Sequence, residues 1–351
     1  MNMNFEEILK KSETEVITKD EALFLIEKSE IEEKAMKLFG TAVKVREKEL
    51  GNIYHWTSGI ARVVKCQLKP LCDYCPYWRK DDTLDPLSTE EIIKGVEYIS
   101  KHGIKEFHLS GGTILGSDGK DILEIVQAIR DSGYNDMEIE INCGAAMSLE
   151  TLKKLKKLGV TRVGAVFETV NQDWFKKVKR GDNFEQKNKF AKEIGEAGLG
   201  LITGLMAGLD PKETQYKDYV DFIFHVKQYQ HLKSVYISKF YPFKTIPMKD
   251  HPQCSTWEAA RVMAVMRLVL RNIDIKAAAG WKPDDYPTPL MAGSGNRVLG
   301  IHINRTPHYK IISNIASKGC IYENDMEYSN RMEKTRQQYE SLGLDIISEL
   351  K

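Results

Sequence analysis

The sequence predicts an α/β fold, namely a complete (βα)8 TIM barrel with an N-terminal helical extension. Short strand-like runs alternate with helix-like runs along most of the chain, and this alternation indicates βαβ units around a parallel sheet. A first strand near 59–64 and a last strand near 297–301 bring the count to about eight, as in a closed barrel. The length of 351 residues suits one large barrel or two average domains. An open, doubly wound sheet is the alternative architecture.

The elements are justified by their periodicity, because strands alternate every second residue whereas helices repeat apolar residues every three to four. The remaining strands are predicted at 105–110, 137–142, 160–168, 199–206, 234–240 and 273–278. The helices after them are predicted at 120–132, 149–158, 184–197, 213–229 and 256–270. Three segments follow: a helical extension over 1–50, the barrel over 51–320, and a C-terminal segment over 321–351 whose helix spans 322–343 and packs on the barrel.

Composition excludes several classes of partner. A formal net charge of +1 offers no electrostatic reason to bind nucleic acid or an anionic membrane surface. No stretch approaches the ~18 uninterrupted apolar residues of a membrane span. The first fifteen residues are acidic and amphipathic rather than signal-like, so a cytoplasmic location is expected. Six cysteines in this length are too few for a disulfide scaffold and favour metal binding or chemistry.

Three cysteines form the most informative motif. Cys66, Cys72 and Cys75 fall within ten residues, directly after the first predicted strand, where catalytic groups gather in α/β barrels. Three thiolates can hold three irons of a [4Fe-4S] cluster and leave the fourth iron open to another ligand. A structural zinc site is the alternative, but it requires four ligands, and His55 is the one distant candidate for the fourth.

Two further segments lie at predicted strand ends. Gly111 and Gly112 follow the second strand in the segment Ser110–Thr113, and paired glycines allow close approach of the backbone to a ligand. On the fourth strand, Glu168 ends the alternating series and would place a carboxylate at the barrel mouth, where a ligand ammonium would pair with it. A tight turn and a helix-capping glutamate are the alternative interpretations.

The later strands supply weaker candidates. Gly204 and Gly208 flank Met206 on the fifth strand, which indicates close approach to a bulky ligand, with Met206 lining an adenine pocket or filling the core. The aromatic run 240–243 after the sixth strand suits either a planar ligand or barrel packing. Cys143, at the end of the third strand, is a candidate to face the lumen.

Over nearly its whole length the sequence resembles the radical S-adenosylmethionine (SAM) superfamily, in particular the branch that includes biotin synthase, HydE and PylB. The resemblance rests on the three cysteines, the segment Ser110–Thr113, the Glu168-Thr169 pair and the glycines of the fifth strand. It implies a [4Fe-4S] cluster on Cys66, Cys72 and Cys75. The other cofactor contacts that it implies or that the strand positions suggest are Tyr74, Gly111, Gly112, Thr113, Glu168, Lys187 and Met206.

Individual positions depart from the pattern of that branch. Glu168 corresponds to the glutamate that binds SAM, and Lys187 stands where a basic residue, usually arginine, binds the SAM carboxylate. Thr113 replaces a usual glutamate, and Val166 stands where arginine is frequent. The resemblance therefore implies SAM binding with altered recognition of its carboxylate.

The cysteine spacing narrows the resemblance. Most of the superfamily has C-x3-C-x2-C, whereas this chain has C-x5-C-x2-C, a variant similar to the HmdB (HcgA) type. That type implies SAM cleavage to a 5′-deoxyadenosyl radical in biosynthesis of the iron-guanylylpyridinol (FeGP) cofactor of [Fe]-hydrogenase, with the pyridinol-forming step as one candidate. A pyridinol precursor would be the substrate, and a ferredoxin or flavodoxin would donate electrons. The alternatives are a HydE- or PylB-like rearrangement or maturation reaction, and a zinc-stabilised scaffold protein.

Candidate substrate contacts are expected near the ends of the strands. They are Cys143, Tyr236, Phe240, Asn296 and Arg297. The last two belong to the segment Gly293–Arg297, which resembles a motif of the same branch, although a structural arginine at the barrel base is an equal interpretation. Cys254 and Cys320 are scattered, so a second cluster for sulfur insertion is not expected.

Overall fold

The structure is a computed structural model that describes residues 4–79, 85–282, 285, 287–306 and 320–347. In chain order its elements are α1 (Phe5–Ser12), α2 (Lys19–Lys28), α3 (Glu32–Leu50), β1 (Ile53–Ala61), α4 (Thr89–Lys101), β2 (Glu106–Ser110), α5 (Lys120–Asp131), β3 (Glu138–Asn142), α6 (Leu149–Lys157), β4 (Val160–Gly164), α7 (Gln172–Val178), α8 (Phe184–Glu196), β5 (Gly200–Ala207), α9 (Gln215–Lys227), β6 (Leu232–Lys239), α10 (Thr256–Leu270), β7 (Asp274–Ala277), α11 (Thr288–Met291), β8 (Arg297–Arg305), β9 (Cys320–Glu323), β10 (Met326–Asn330), α12 (Met332–Glu340) and β11 (Asp345–Ile347).

The chain divides into two compact units, and each is assembled from separate stretches of sequence. The first unit comprises 1–52, 166–180 and 202–296, and the second comprises 53–165, 181–201 and 297–351. Because the units interleave along the chain, neither corresponds to one of the three consecutive segments expected from the sequence, and that division stays a prediction.

The second unit contains a largely parallel sheet with the strand order β4-β3-β2-β1-β8-β10-β9. Strands β1, β2, β3, β4 and β8 run parallel, and β10 pairs antiparallel with both β8 and β9. Alternate residues of these strands are apolar and fully buried, as Phe107, Leu109, Ile139 and Ile141 show. Parallel strands joined through helices are the α/β arrangement expected from the sequence.

Strand β8 has two neighbours over part of its length. Residues 297–303 pair with β1, and residues 301–305 pair with β10. Since a strand has only two hydrogen-bonding edges, β8 can pair with a further strand only through residues before Ile301. Closure of the strands into a complete (βα)8 barrel therefore stays a prediction, and any closure at β8 is limited to its first four residues.

The first unit packs helices around the strands β5, β6 and β7. β6 and β7 are parallel neighbours, and α10 is buried along residues 259–270. The expectation of helices within residues 1–50 is confirmed by α1, α2 and α3, and α3 packs against α10. Local signals explain where α2 begins, because Thr18 and Glu21 form a reciprocal capping box at its first turn.

Two predicted elements differ from the structure. The first strand begins at Ile53, six residues earlier than predicted, and its early residues Tyr54 and Trp56 are buried. The helix expected over 322–343 is wrong at its start, because β9 and β10 form a hairpin there and α12 begins only at Met332. The turn residues Asn324 and Asp325 both have positive φ, the conformation that a tight two-residue hairpin turn requires.

Within the described ranges, no helix is long and apolar enough to span a membrane.

Candidate functional site

The cysteine loop follows β1 and carries Cys66, Cys72 and Cys75, which are partly exposed and lie outside any disulfide. Its second half is held by backbone contacts of the cysteines themselves. The Cys75 N–H donates to the Cys72 carbonyl over 3.1 Å. Arg79 donates through Nε to the Cys75 carbonyl over 2.7 Å and through Nη2 to the Cys72 carbonyl over 2.5 Å. The guanidinium thus fixes the two carbonyls of the C-x2-C turn and leaves both thiols out of these bonds.

The first half of the loop lies along the segment Ser110–Thr113. Three backbone bonds join the two segments, from Val63 N to Ser110 O (3.0 Å), from Gly112 N to Val64 O (2.7 Å) and from Gln67 N to Thr113 O (3.0 Å). The glycines have a packing role that sequence reasoning missed. A Cβ on Gly112 would lie 2.1 Å from Cys66 Cα, and one on Gly111 would lie 2.8 Å from Val64 N. Because both close atoms are backbone, only glycine fits there.

Two of the five residues between Cys66 and Cys72, namely Lys69 and Pro70, are also packed against a glycine. A Cβ on Gly181 would lie 2.2 Å from the Pro70 carbonyl oxygen and 2.8 Å from Lys69 N. The longer gap between Cys66 and Cys72 is therefore part of a close contact with the segment that leads into α8, all within the second unit. Tyr74, predicted as a cofactor contact, is 8% exposed.

Lys187, the predicted partner of a SAM carboxylate, pairs with a carboxylate of the protein. Its Nζ lies 3.1 Å from the Asp182 carboxylate, and both side chains are only 2% exposed. Asp182 was missed from the sequence, although an acidic residue five positions before a buried lysine was the signal available. Burial of a charged pair is tolerated because each ion compensates the other.

The chemistry of the loop fits an iron–sulfur cluster better than structural zinc. Among the described residues, no group of three or more His, Cys, Asp or Glu side chains is already arranged around a metal position. Three cysteine thiols outside any disulfide, all in one anchored loop, nevertheless supply the donors that a cluster needs. His55 cannot complete a zinc site, because it lies six strand positions before Ala61, about 20 Å along β1 from the end where the loop begins.

Glu168 lies in the first unit, in the segment after β4. The strand was predicted to continue to Glu168, but β4 ends at Gly164. Glu168 has a left-handed φ of +68° and bridges to β5, donating from N to Gly204 O (2.8 Å) and accepting at O from Met206 N (3.0 Å). A glutamate with this φ is uncommon and indicates that its surroundings determine the backbone conformation.

A buried aspartate fixes the residue next to Glu168. Thr169 donates its hydroxyl to Asp210 Oδ1 over 2.5 Å, and Asp210 is only 1% exposed. Burial, with a smaller contribution from nearby Asp218, raises the pKa of Asp210 to about 7. This support for the Glu168 segment was missed from the sequence, because Asp210 lies after β5 and belongs to no recognised motif.

The predicted substrate contacts divide into three groups. Cys143 and Phe240 are 0% and 1% exposed, and their role as substrate contacts stays a prediction. Arg297 donates to Glu106 over 2.8 Å, as the structural interpretation expects. Tyr236 keeps partial exposure, and Asn296 precedes β8; Met206, predicted as a cofactor contact, is also partly exposed. Asn142, the last residue of β3 and the neighbour of buried Cys143, is partly exposed and was missed from the sequence.

Comparisons with known proteins point to the same family as the cysteine loop and the parallel strands described above. Residues 61–223 match the Radical SAM superfamily. An uncharacterized protein of Methanocaldococcus jannaschii is 32% identical over 314 residues, which cover 85% of this chain and 79% of that protein. The chain belongs to the radical SAM superfamily, whose members are enzymes that use a [4Fe-4S] cluster and SAM.

More distant proteins agree at the level of the superfamily and of the fold. A biotin synthase of Clostridium botulinum (strain Langeland) is 25% identical over 81% of this chain and 91% of its own length. The crystal structure of methylornithine synthase (PylB) superposes with a TM-score of 0.76 over 97% of both chains at 18% identity. At this identity, the likeness to PylB shows the fold alone.

Proposed function

We propose that this protein reductively cleaves SAM at a [4Fe-4S] cluster held by Cys66, Cys72 and Cys75. The observation that carries the proposal is the anchored loop, in which three cysteines stand on a backbone bonded to Ser110–Thr113. When bound, the cluster supplies the electron that breaks a C–S bond of SAM and yields the 5′-deoxyadenosyl radical. A ferredoxin or flavodoxin is the proposed electron donor.

The chain's own residues hold the cofactors in defined ways in this proposal. Gly112 gives the Cys66 backbone its position, and Arg79 holds the carbonyls of Cys72 and Cys75, so the backbone that carries the thiols is preorganised. Preorganisation lowers the cost of ordering the loop when the cluster binds.

The proposal assigns SAM recognition to four side chains and to the segment Gly111–Thr113. Glu168 would accept hydrogen bonds from the SAM ammonium group, together with backbone of the segment Gly111–Thr113, and Met206 and Tyr74 would contact its apolar parts. Lys187 would meet the SAM carboxylate while keeping Asp182 as its internal partner. This assignment is supported by the resemblance of these positions to motifs of the superfamily, which matches residues 61–223, and by the constrained backbone of Glu168.

The finer proposal concerns the pathway. The C-x5-C-x2-C spacing supports a role in assembling the FeGP cofactor of [Fe]-hydrogenase, with a pyridinol precursor as substrate. The packing of Lys69 and Pro70 on Gly181 supports treating this spacing as a built feature of the loop. A rearrangement or maturation reaction like those of the HydE and PylB branch is the alternative, since the same cofactors would serve it.

Anaerobic reconstitution tests the core of the proposal. We expect about four irons per chain and visible absorption that bleaches with dithionite, followed by formation of 5′-deoxyadenosine from SAM. A variant with Cys66, Cys72 and Cys75 all replaced by alanine should lose both properties, whereas Cys320→Ala is the matched control because Cys320 lies on β9. Stoichiometric zinc without iron would contradict the proposal and favour a scaffold protein.

A further inference from the structure

One face of the sheet in the second unit carries polar side chains that hold neither the cluster nor SAM in the proposed function. On β1, β2, β3 and β8 the apolar residues of one face are fully buried, and helix α4 packs there, with the Cβ position of Gly95 lying 3.1 Å from Ile60 and 3.2 Å from Ile303. On the opposite face, which also carries the buried carboxylates Glu106 and Glu140, five polar residues keep partial exposure. We call them the polar wall; they are His108, Ser110, Asn142, His302 and Asn304.

Strand register brings these side chains together. Gly59 on β1 is the cross-strand partner of His108 on β2 and also of His302 on β8. Two residues after His108 on β2, Ser110 is the cross-strand partner of Asn142 on β3. Cross-strand partners project from the same face of a sheet, so two imidazoles flank a central glycine and a hydroxyl stands beside an amide.

Two strand glycines let polar groups of the wall lie flat against the sheet. A Cβ on Gly59 would meet the His108 ring at 2.3 Å, and a Cβ on Gly164 would meet Asn142 Oδ1 at 2.5 Å. The His108 imidazole therefore lies across β1, and the Asn142 amide lies across β4. Glycines in strands mark such close approaches, and side chains that lie flat leave depth for a ligand above them.

The wall residues include no carboxylate, lysine or arginine, and their imidazole, hydroxyl and amide groups can both donate and accept hydrogen bonds. Burial and the neighbouring His108 lower the pKa of His302 to about 4, so its imidazole is neutral at physiological pH. The nearby charges are paired with one another, since Arg162 lies 2.7 Å from Glu106 and 2.6 Å from Glu140, and Arg297 also binds Glu106. A charged ligand group would find no unpaired charge of opposite sign among these residues.

The wall also leads directly to the cysteine loop. Ser110 begins the segment that clamps the loop, and Gly112 contacts the Cys66 backbone. At ~3.3 Å per residue, His108 lies about 13 Å along the strand from Gly112.

We infer that the polar wall is a binding site for a small, uncharged molecule bearing hydroxyl or carbonyl groups, with His108 and His302 selecting it. The inference rests on the proposed function in one respect, namely that this molecule is the substrate of the SAM-derived radical. The wall adds partly exposed contacts to the predicted ones at Cys143 and Phe240, whose side chains are buried.

Three disubstituted benzenes of one geometry test the chemistry of the site. Resorcinol carries two hydroxyls, m-xylene carries methyls in their place, and isophthalate carries two carboxylates. Calorimetric titration of the cluster-loaded protein with SAM at pH 7.5 should show resorcinol binding at least about tenfold more tightly than either of the others, because each unmade hydrogen bond at a buried polar group costs about 1–3 kcal/mol. Equal binding of the three probes would overturn the inference.

Substitutions at the polar wall test whether resorcinol binds there. His302→Phe and Gly59→Ala, which displaces the His108 ring, should each weaken resorcinol binding about tenfold, whereas His231→Phe in the turn before β6 should leave it unchanged. Iron content and thermal melting check that each variant is folded. If a variant fails to fold, histidine-labelled wild-type protein replaces it, and resorcinol should shift two of the eight imidazole signals.

The two failures are distinguishable. Wild-type protein that takes up no iron or forms no 5′-deoxyadenosine contradicts the proposed function, whatever the probes do. Wild-type protein that forms 5′-deoxyadenosine but binds resorcinol equally well after His302→Phe and Gly59→Ala, or shifts no imidazole signal, contradicts the polar wall alone.

Discussion

The cysteine loop of the second unit and the Glu168 segment of the first unit both follow a strand, yet they are held by different means. The cysteine loop is fixed by backbone bonds to Ser110–Thr113 and by glycines that leave no room for a Cβ. The Glu168 segment has two backbone bonds to β5 and is also held by side-chain bonds, among them the bond from Thr169 to a buried carboxyl group.

This difference predicts different vulnerabilities. A loop held by backbone packing should fail when a methyl group is added to a glycine and should respond little to pH. A segment held by a buried carboxyl group should respond to pH and to the charge of that group. The following predictions test this contrast, from the largest expected effect to the smallest.

Gly112→Ala should have the largest effect. Its Cβ would lie 2.1 Å from Cys66 Cα, and neither backbone can yield without moving the loop. We expect at least about a tenfold loss of iron after anaerobic reconstitution, measured as iron per folded chain. Gly40→Ala is the matched control, because Gly40 lies within α3 with nothing near its Cβ position, and alanine there should stabilise the helix by up to about 1 kcal/mol. Full iron content in Gly112→Ala would contradict the clamp.

Lys187→Met should be the most destabilising side-chain change. It leaves Asp182 as a buried, uncompensated carboxylate, which costs about 3–5 kcal/mol. The double variant Lys187→Met with Asp182→Asn should recover most of the thermal stability. If Lys187 binds the SAM carboxylate, the double variant should still bind SAM at least about tenfold more weakly than wild type. Recovery of both stability and SAM affinity would show that Lys187 has a structural role only.

Asp210→Asn should stabilise the protein at alkaline pH. The pKa of Asp210 rises from 3.8 in the unfolded chain to about 7 in the fold, so folding favours the protonated carboxyl group. Its contribution is fully present below pH 3.8, is lost as pH rises towards 7 and stays lost above that; a pKa difference of about three corresponds to at most about 4 kcal/mol.

Asparagine keeps the acceptor for Thr169 without the ionisation. Thermal melting at pH 5 and pH 8 should therefore show a larger gain for Asp210→Asn at pH 8 than at pH 5. Asp210→Ala should show no net gain of this size, because it also removes the acceptor for Thr169. An equal gain for Asp210→Asn at both pH values would mean that Asp210 ionises normally in the fold.

Arg79→Gln should have the smallest of these effects. It removes charge-assisted hydrogen bonds to the carbonyls of Cys72 and Cys75 but leaves the clamp at Ser110–Thr113 intact. We expect iron uptake to slow only a fewfold, with full iron content at long times. A loss as large as that of Gly112→Ala would show that the arginine, rather than the backbone clamp, determines the loop.

Local patterns were sufficient for the parallel strands and for the cysteine set. The runs at 106–110 and 138–142 alternate apolar and polar residues, and three cysteines within ten residues need no tertiary information to be recognised. The hairpin at 320–330 was missed because the Asn324-Asp325 turn signal lies inside a stretch that otherwise suits a helix. Chain-local patterns fail where a short turn competes with helical composition.

The sequence by itself therefore determined the superfamily, the α/β fold and the three thiols, because these depend on residue type and spacing along the chain. The tertiary structure decided what each residue contacts. It paired Lys187 with Asp182, placed Gly112 against Cys66, turned Asn142 rather than Cys143 to the open face, and brought His108 and His302 to either side of Gly59. These contacts join residues that are from five to more than 200 positions apart, and strand register, which no local pattern specifies, determines which of the strand residues meet.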